Sequence, residues 1–391
     1  MIKSRESQCC GCAACAEVCP VQAIQMKTEK NGFYYPVIDS EICIKCNKCL
    51  SVCRFSNDFS FPNLINQPVR ISYIARLKNI DNLLHSASGG MFTAFSDAII
   101  QENGVIYGAL FDDEFRVYHG RAEDPNERDK MRGSKYVQSN TVTIYKRILN
   151  DLKSNRKVVF FGTPCQCSAI LGFLSSCSMS TDKLILVDII CHGVSSPLVW
   201  KKYLNFVKEK YINEDISNVC FRDKYYGYGY NMTIKGNTKI YHKDDILDPY
   251  IYIFTKNLAI RPSCYECPFK KSDRVSDITI GDFQKARLYF PEFDDGKGNS
   301  VVLINTKKGK QLFENIEAKL TYAQCPNEQA DQPNLHGQMS KPHQYDSFFR
   351  DLQSLSFEKV LKKYTEYGMG RHLYGSLRRL IRKIVYIIEK K

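Results

Sequence analysis

Nearly continuous runs of apolar residues occupy the middle of the chain and predict its central sheet. Three of them, residues 157–162, 183–190 and 277–283, read KVVFFG, KLILVDII and DITIGDF. Such runs are expected of strands that are buried on both faces of a parallel sheet. Residues 69–77 and 104–111 also predict strands because apolar and β-branched residues dominate them.

A segment whose apolar residues recur with the period of a helix lies between two of these predicted strands. Residues 88–102 predict an amphipathic helix that is entered through a glycine turn, and Asn103–Gly104 is a typical end for such a helix. The strands and the helix together predict an α/β domain (α+β overall) with a parallel or mixed sheet.

The first fifty residues follow a different pattern, with many cysteines and short elements. GFYYPVIDSE (32–41) predicts a short strand after a turn at Asn31–Gly32. The polar stretch that contains Pro62 and Pro68 predicts a linker. The predicted organisation is an N-terminal module at 1–58, a linker at 59–69, a large α/β domain at 70–350 and a basic helical tail at 351–391.

The tail ends in a basic amphipathic segment, LRRLIRKIVYIIEKK (377–391). Its apolar residues recur at helical spacing, so it predicts a terminal helix that docks on its own domain or on a partner. Peripheral contact with a membrane surface is the alternative, since arginines and lysines fill the other face.

The chain carries 55 basic and 42 acidic residues, a formal net charge of +13. A basic surface aids solubility or attracts acidic partners, such as an electron carrier or the phosphates of a cofactor. Nucleic acid is not predicted as a partner because no nucleic-acid-binding motif is found.

The seventeen cysteines are an odd number, so they cannot all pair with one another. The sequence shows no signal peptide and no apolar run of about 18 residues, which predicts a cytoplasmic protein. In a reducing compartment cysteines remain thiols or metal ligands. Metal binding or catalysis is therefore the expected role of the clustered cysteines.

Eight N-terminal cysteines form two copies of C-x2-C-x2-C-x3-C, which is the run of bacterial two-cluster ferredoxins. In that run the first three thiolates wrap one 4Fe–4S cube, and the fourth binds the neighbouring cube. The predicted ligands of the first cluster are Cys9, Cys12, Cys15 and Cys53. The predicted ligands of the second cluster are Cys43, Cys46, Cys49 and Cys19.

Zinc is the competing interpretation of this cysteine pattern. Zinc ribbons use separated CxxC pairs rather than four cysteines in eleven residues, so the spacing favours iron–sulfur clusters. Cys10 breaks the spacing and is predicted not to be a ligand.

Four further cysteines lie in the second half of the chain. Cys165 and Cys191 each follow a predicted strand, at the edge where ligands bind in open α/β sheets. Cys264 and Cys267 form a CxxC pair just before another strand. The four together are candidate ligands of a third 4Fe–4S cluster. The alternatives are zinc ligands or spare thiols for the pair, and small buried apolar residues for the other two.

Six motifs follow one another in an order that resembles the coenzyme F420 hydrogenase/dehydrogenase beta-subunit family, fused here to a two-cluster ferredoxin module. The motifs are SASGGMF (86–92), RGSKYVQS (132–139), GTPCQC (162–167), DIICHGVSSP (188–197), RPSCYECPFK (261–270) and SDITIGDF (276–283).

The resemblance implies a flavoprotein that binds FAD, and it implies a third cluster on the four cysteines just named. It also implies that Ser88, Gly89 and Gly90 lie near the flavin and that Lys135 lies in or near its pocket. Glycines at a helix N-terminus do let backbone N–H groups approach an anion, although a simple helix turn needs the same residues. No GxGxxG fingerprint indicates a Rossmann-type site.

The leading functional hypothesis is an iron–sulfur flavoprotein oxidoreductase. Its clusters would exchange single electrons with a carrier or partner enzyme, and its FAD would exchange hydride with coenzyme F420 or another organic substrate. The alternative is an electron-transfer subunit without its own substrate, in either case with a place in surface-polysaccharide synthesis as a variant. A zinc-stabilised interaction protein is the third hypothesis.

Overall fold

A computed structural model describes residues 7–54, 69–224, 227–337, 339–365 and 377. The predicted linker therefore lies outside the described residues except for its last position. The predicted amphipathic segment of the tail does so as well, apart from Leu377.

The N-terminal module is built from two short helices and one hairpin. Their bounds are α1 Ala14–Glu17, β1 Ile24–Thr28, β2 Tyr34–Ile38 and α2 Lys48–Ser51. The strands pair antiparallel, with Ile24 opposite Ile38. Gly32 has a φ of +82° in the connecting turn, a conformation that favours glycine, so the predicted turn is confirmed.

The large domain contains an eight-stranded mixed sheet in the order β13-β3-β12-β11-β7-β6-β4-β5. Its strands are β3 Ile71–Leu77, β4 Val105–Phe111, β5 Val117–Ala122, β6 Val158–Gly162, β7 Leu184–Ile189, β11 Ile278–Asp282, β12 Ser300–Ile304 and β13 Leu320–Cys325. The four central strands β11, β7, β6 and β4 are parallel, and the outer strands pair antiparallel.

Helices cover both faces of this sheet. The helices of the large domain are α3 Ile80–Leu84, α4 Met91–Gln101, α5 Pro125–Asp129, α6 Ile144–Lys153, α7 Pro164–Ser176, α8 Pro197–Val207, α9 Pro249–Thr255, α10 Pro262–Tyr265, α11 Ala286–Tyr289, α12 Lys307–Glu314, α13 Asn327–Ala330, α14 Tyr345–Ser354 and α15 Phe357–Tyr364. A π-helical turn, Lys208–Ile212, continues α8. A small sheet of β8 Asn218–Cys220, β9 Asn231–Lys235 and β10 Ile240–Asp244 completes the domain.

The apolar runs are buried on both faces because successive residues of a strand point in opposite directions. In β6, Val158 and Phe160 pack on the side of α6 and α7, whereas Val159 and Phe161 pack on the side of α4. The five predicted strands and the predicted helix are confirmed, and so is the α/β fold with a mixed sheet.

The end of the large domain lies beyond the predicted boundary. Helix α14 spans residue 350, and apolar residues of α14 and α15 belong to the same core cluster as α8 and α9. Described residues up to Thr365 therefore pack as part of the large domain.

Candidate metal centres and cofactor site

The cysteines of the predicted second cluster lie around one cavity at the outer end of the N-terminal module. The lining thiols are Cys19, Cys43, Cys46 and Cys49, which is the predicted set with its borrowed fourth member. Val21, Ile38 and Ile44 complete the wall. Cys46 is exposed, so this end of the module faces solvent.

The predicted first cluster has its four cysteines close together on the inner side of the module. The thiol of Cys15 senses the charges of Cys12, Cys9 and Cys53, although burial is the main cause that raises its pKa. The two repeats therefore exchange their last cysteines, as the ferredoxin spacing predicts. Iron–sulfur ligation by these eight residues stays a prediction.

A second cavity brings Cys165, Cys191, Cys264 and Cys267 together at the carboxyl edge of the parallel strands. Cys165 is the second residue of α7, where Pro164 begins the helix and Thr163 forms a capping box with Gln166. Cys191 follows β7 by two residues, and the CxxC pair comes from α10 and the turn after it. Three segments of the chain thus supply four thiols to one cavity.

Three of the four thiols, those of Cys191, Cys264 and Cys267, are poorly suited to carry charge without a metal. Burial, followed by neighbouring thiols, raises the pKa of Cys264 to about 12. Burial likewise raises the pKa of Cys191 and Cys267. Iron would replace these protons, because thiolates rather than thiols are the ligands of a cluster.

Cys10 is a residue that the sequence pattern passed over. It lines the second cavity beside Cys12 and Cys165. Hydrogen bonding between the Cys10 thiol and these two neighbours lowers the pKa of Cys12 to about 7 and lowers that of Cys165, while the pKa of Cys10 rises. Cys10 therefore joins the first cysteine set to the third. In the sequence, the only indication of this role was that Cys10 lies next to a cysteine of the first repeat.

Arg261 fastens the N-terminal module to the large domain. Its side chain is completely buried. Its Nε donates to the carbonyl of Cys9 at 2.7 Å, and its two terminal nitrogens donate to Gln138 Oε1 at 3.0 Å and to the carbonyl of Tyr34 at 2.9 Å. Thr141 Oγ1 adds a bond to the carbonyl of Cys12 at 2.8 Å. The two cysteine-rich regions are therefore held at a fixed distance.

The predicted flavin turn is explained first by packing. A Cβ on Gly89 would stand 2.3 Å from the carbonyl oxygen of Ala75, and one on Gly90 would stand 2.5 Å from Leu77. Both glycines therefore let the start of α4 lie directly on the sheet. Ser88 donates to the carbonyl of Asn299 at 2.9 Å, and its own carbonyl accepts from Lys224 at 2.8 Å.

The predicted pocket lysine, Lys135, lies in a neighbouring turn. Its Nζ donates to the carbonyls of Met131, Arg132 and Gly133 at 3.0, 2.9 and 3.2 Å. Although the side chain is half-buried, its ammonium group is enclosed, and desolvation lowers its pKa to about 7. Lys135 is thus held by three backbone carbonyls, and no carboxylate of the described residues pairs with it.

A group of cations and tyrosines connects these two turns, and the sequence pattern did not reveal it. Arg222 is buried, donates to Tyr136 Oη at 3.1 Å and to Asp282 at 2.8 Å, and stacks on Tyr230. Desolvation lowers the pKa of Lys224 to about 8. The flavin turn and Lys135 therefore meet the same segment, which begins at β8.

Two family models match the chain. Residues 8–57 match the 4Fe-4S dicluster domain, and residues 155–329 match the family described as the C terminus of the coenzyme F420 hydrogenase/dehydrogenase beta subunit. The resemblance to the F420 hydrogenase/dehydrogenase beta-subunit family is confirmed. The chain is thus an iron–sulfur electron-transfer protein related to the F420 hydrogenase beta subunit, a subunit of an oxidoreductase.

Individual relatives are distant. An uncharacterized protein of Methanocaldococcus jannaschii is 26% identical over 348 residues, which covers 78% of this chain and 86% of that protein. A chain of the xenon-derivatised F420-reducing NiFe hydrogenase complex from Methanosarcina barkeri is 16% identical with a TM-score of 0.46. That match covers 80% of this chain and 97% of the other.

The cysteine sets of this beta-subunit relative offer thiols, and thiolates are the ligands of iron–sulfur clusters. Among the described residues, no three thiol, imidazole or carboxylate groups lie close enough to share one metal ion. Four thiolates around one zinc, each at about 2.3 Å from the metal, would stand nearly in contact. A cube holds its four thiolates further apart than a single zinc ion does.

The structure also bears on the membrane. No described helix of the beta-subunit relative combines the length and apolar character that a membrane crossing requires. The proposed membrane-surface segment of the tail lies outside the described residues, apart from Leu377.

Proposed function

We propose that this chain is an iron–sulfur flavoprotein oxidoreductase with three 4Fe–4S clusters and one FAD. One observation carries the proposal: four cysteines from three separate segments converge on a cavity beside the first ferredoxin set. When bound, cubes exchange single electrons, and a flavin takes one or two electrons and exchanges hydride with an organic substrate.

The three cysteine sets follow one another from the surface inward. The outer set, which is that of the predicted second cluster, includes the exposed Cys46. The first set lies behind it. Cys10 links the first set to the third set, which is Cys165, Cys191, Cys264 and Cys267. The residues of each set would hold one cube, and the contacts of Arg261 would fix the spacing between module and domain. This arrangement supports an electron path that begins at a partner on the outer face.

A short backbone segment leads from the third cavity towards the cation group. Gln138 and Ser139 line the cavity, while Tyr136, next to Lys135, accepts a hydrogen bond from Arg222 of the cation group. Residues 135 and 138 are at most about 11 Å apart, because an extended chain advances about 3.6 Å per residue. A flavin held at the cations would therefore lie close to the third cavity.

The cation group suits the diphosphate of FAD. Among the described residues, Lys135 and Lys224 form no ion pair with a carboxylate, and both donate to backbone carbonyls. The Nε of Arg222 is buried without a hydrogen-bond partner in the described part of the chain. An anionic group at this place would be stabilised by the two lysine charges, which no described carboxylate pairs, and by the free Nε–H of Arg222, whose charge is already paired with Asp282.

The flavin proposal is tested by extracting flavin from anaerobically purified protein. We expect about one FAD per chain, and the Lys224→Met variant should retain less than a tenth of it because its buried cation is lost. Lys239→Met removes an exposed lysine and should leave the flavin content unchanged. Protein that contains iron but never binds FAD would contradict the proposal.

The hydride partner is coenzyme F420 or another organic hydride acceptor. We expect chemically reduced, FAD-loaded protein to reduce F420 in a stoichiometric anaerobic assay, with loss of the coenzyme's visible absorbance. Reoxidation of the flavin by a different acceptor, and not by F420, would keep the oxidoreductase and replace its substrate.

A second candidate, an electron-transfer subunit without its own substrate, is favoured by the exposed outer cysteine set. Ile44 and Ile42 lie beside this set with 60% and 49% of their surfaces exposed. Such a surface suits a partner protein. Failure of every hydride acceptor, together with copurification of a redox enzyme, would select this candidate.

A further inference from the structure

Arg261 is the most completely buried cation of the module junction. None of its surface is exposed. Besides its three hydrogen bonds, its guanidinium stacks against Tyr35 at 4.3 Å and Phe33 at 5.3 Å. A buried charge without an opposite charge is costly, so its compensation needs an explanation.

No carboxylate of the described residues forms an ion pair with Arg261. The other buried arginines differ in this respect. Arg274, on the wall of the cavity that holds the third cysteine set, pairs with Asp188 at 3.0 Å, and Arg128 pairs with Asp97 at 2.7 Å. Arg261 is therefore left with an unpaired charge at a place where it has only thiols as candidate anions.

Those thiols belong to two different cysteine sets. Arg261 donates from Nε to the carbonyl of Cys9 in the first set at 2.7 Å, and its own carbonyl accepts from the backbone N–H of Cys264 in the third set at 2.9 Å. The outer set lies at the other end of the module, around its own cavity. Arg261 thus lies between two sets and away from the remaining one.

We propose that Arg261 is a shared positioning residue that compensates the negative charge of the first and third clusters and raises both reduction potentials relative to the outer one. The inference rests on the proposed function for the third cluster. A cube with four thiolate ligands is anionic, and reduction adds one further negative charge. A nearby cation stabilises the reduced form, since net charge and hydrogen bonds set cluster potentials. Electrons from the outer face would therefore be drawn inward.

The test uses two variants that separate charge from hydrogen bonding. Arg261→Gln keeps a donor for the Cys9 carbonyl but loses the charge, whereas Arg261→Lys keeps the charge. Arg128→Gln removes a buried arginine outside the cysteine sites and serves as the matched control. The readout is a redox titration followed by electron paramagnetic resonance, after iron per chain has been measured. A Cys264→Ala variant identifies the signal of the third set.

For Arg261→Gln we expect the ratio of reduced to oxidised first and third clusters at a fixed potential to fall about tenfold, or about 59 mV. The outer cluster should not shift, and Arg261→Lys and Arg128→Gln should resemble the parent. Iron lost from Arg261→Gln but kept in Arg261→Lys would also support the charge role.

Two results would overturn the proposed charge role of Arg261. One is equal reduction potentials of the first and third clusters in Arg261→Gln and the parent, and the other is equal loss of iron from both Arg261 variants. Iron in the unmodified protein tests the third cluster separately: about eight irons per chain would reject that cluster, while the effect of Arg261 on the first cluster remained measurable.

Discussion

The outer and the third cysteine sets have different surroundings. The outer set is shallow: Cys46 is exposed and Ile44 projects beside it with 60% of its surface in solvent. In the third set no cysteine is exposed, and its cavity is lined by the buried Arg274, which pairs with Asp188, and by Cys10 and Gly11 of the module. An exposed metal centre can exchange electrons with a visiting protein, whereas an enclosed one is insulated from solvent. Under the proposed function, this difference predicts that electrons pass between a partner protein and the interior in a defined order.

Removing one cysteine from each end tests the comparison most strongly. Cys264→Ala and Cys46→Ala should each lose about four of about twelve irons, because three thiolates hold a cube poorly. Cys264→Ala should also lose electron transfer to FAD while keeping oxidation by the external partner. Cys177→Ala, a change of an exposed cysteine, is the control. An unchanged iron content in Cys264→Ala would contradict a cluster at the third cysteine set.

The junction between the two ends depends on Gly11. Its φ is +69°, and a Cβ there would stand 2.3 Å from Gln138 and 2.9 Å from Arg261. Gly11→Ala should therefore lower the free energy of unfolding by about 3 kcal/mol through overpacking and left-handed strain. Gly133→Ala has a similar φ of +79° but no atom within 4 Å, so we expect a loss of about 1 kcal/mol. If anaerobic denaturation showed that both variants lose the same free energy of unfolding, close packing of Gly11 against Gln138 and Arg261 would be contradicted.

The cation group of the interior predicts proton uptake when FAD binds. The pKa of Lys135 is about 7 and that of Lys224 about 8, because desolvation lowers both, so part of each lysine is neutral at pH 8. An anionic diphosphate raises both pKa values, and the lysines then take protons from the buffer. Titration calorimetry in two buffers should show uptake of up to about 1.4 protons at pH 8, about 0.9 by Lys135 and about 0.5 by Lys224, and almost none at pH 6. Proton uptake that is the same at both pH values would contradict binding of the FAD diphosphate by Lys135 and Lys224.

The smallest effect is expected at the outer surface. Ile44→Asp should slow reduction by a partner protein severalfold and leave iron content and potentials unchanged, since only the docking surface changes. Ile240→Asp alters an equally exposed isoleucine, 65% exposed, on β10 and should have no effect. A potential shift in Ile44→Asp would mean that the side chain acts on the cluster itself.

The parts that depend on local spacing were predictable from the sequence. The eight N-terminal cysteines lie within two short repeats, and the buried strands are continuous apolar runs, so each signal sits within a few neighbouring residues. The strand-end positions of Cys165 and Cys191 were also readable, because parallel strands share one carboxyl edge.

The remaining features depend on contacts between distant segments. Arg261 lies 252 residues from the Cys9 carbonyl that it binds, and Lys224 lies 136 residues from the Ser88 carbonyl. Gly89 and Gly90 resembled a phosphate turn, yet their packing against the sheet explains them already. Propensity and spacing carry no information on such pairs, so Cys10, Arg222 and Lys224 became apparent only in the folded chain.

The most direct test of the account is the amount of iron and acid-labile sulfide per chain in anaerobically purified, unmodified protein. Three cubes predict about twelve of each, with one cluster signal lost in Cys264→Ala. About eight of each, with the spectrum of Cys264→Ala identical to that of the parent, would contradict the third cluster and the electron path built on it.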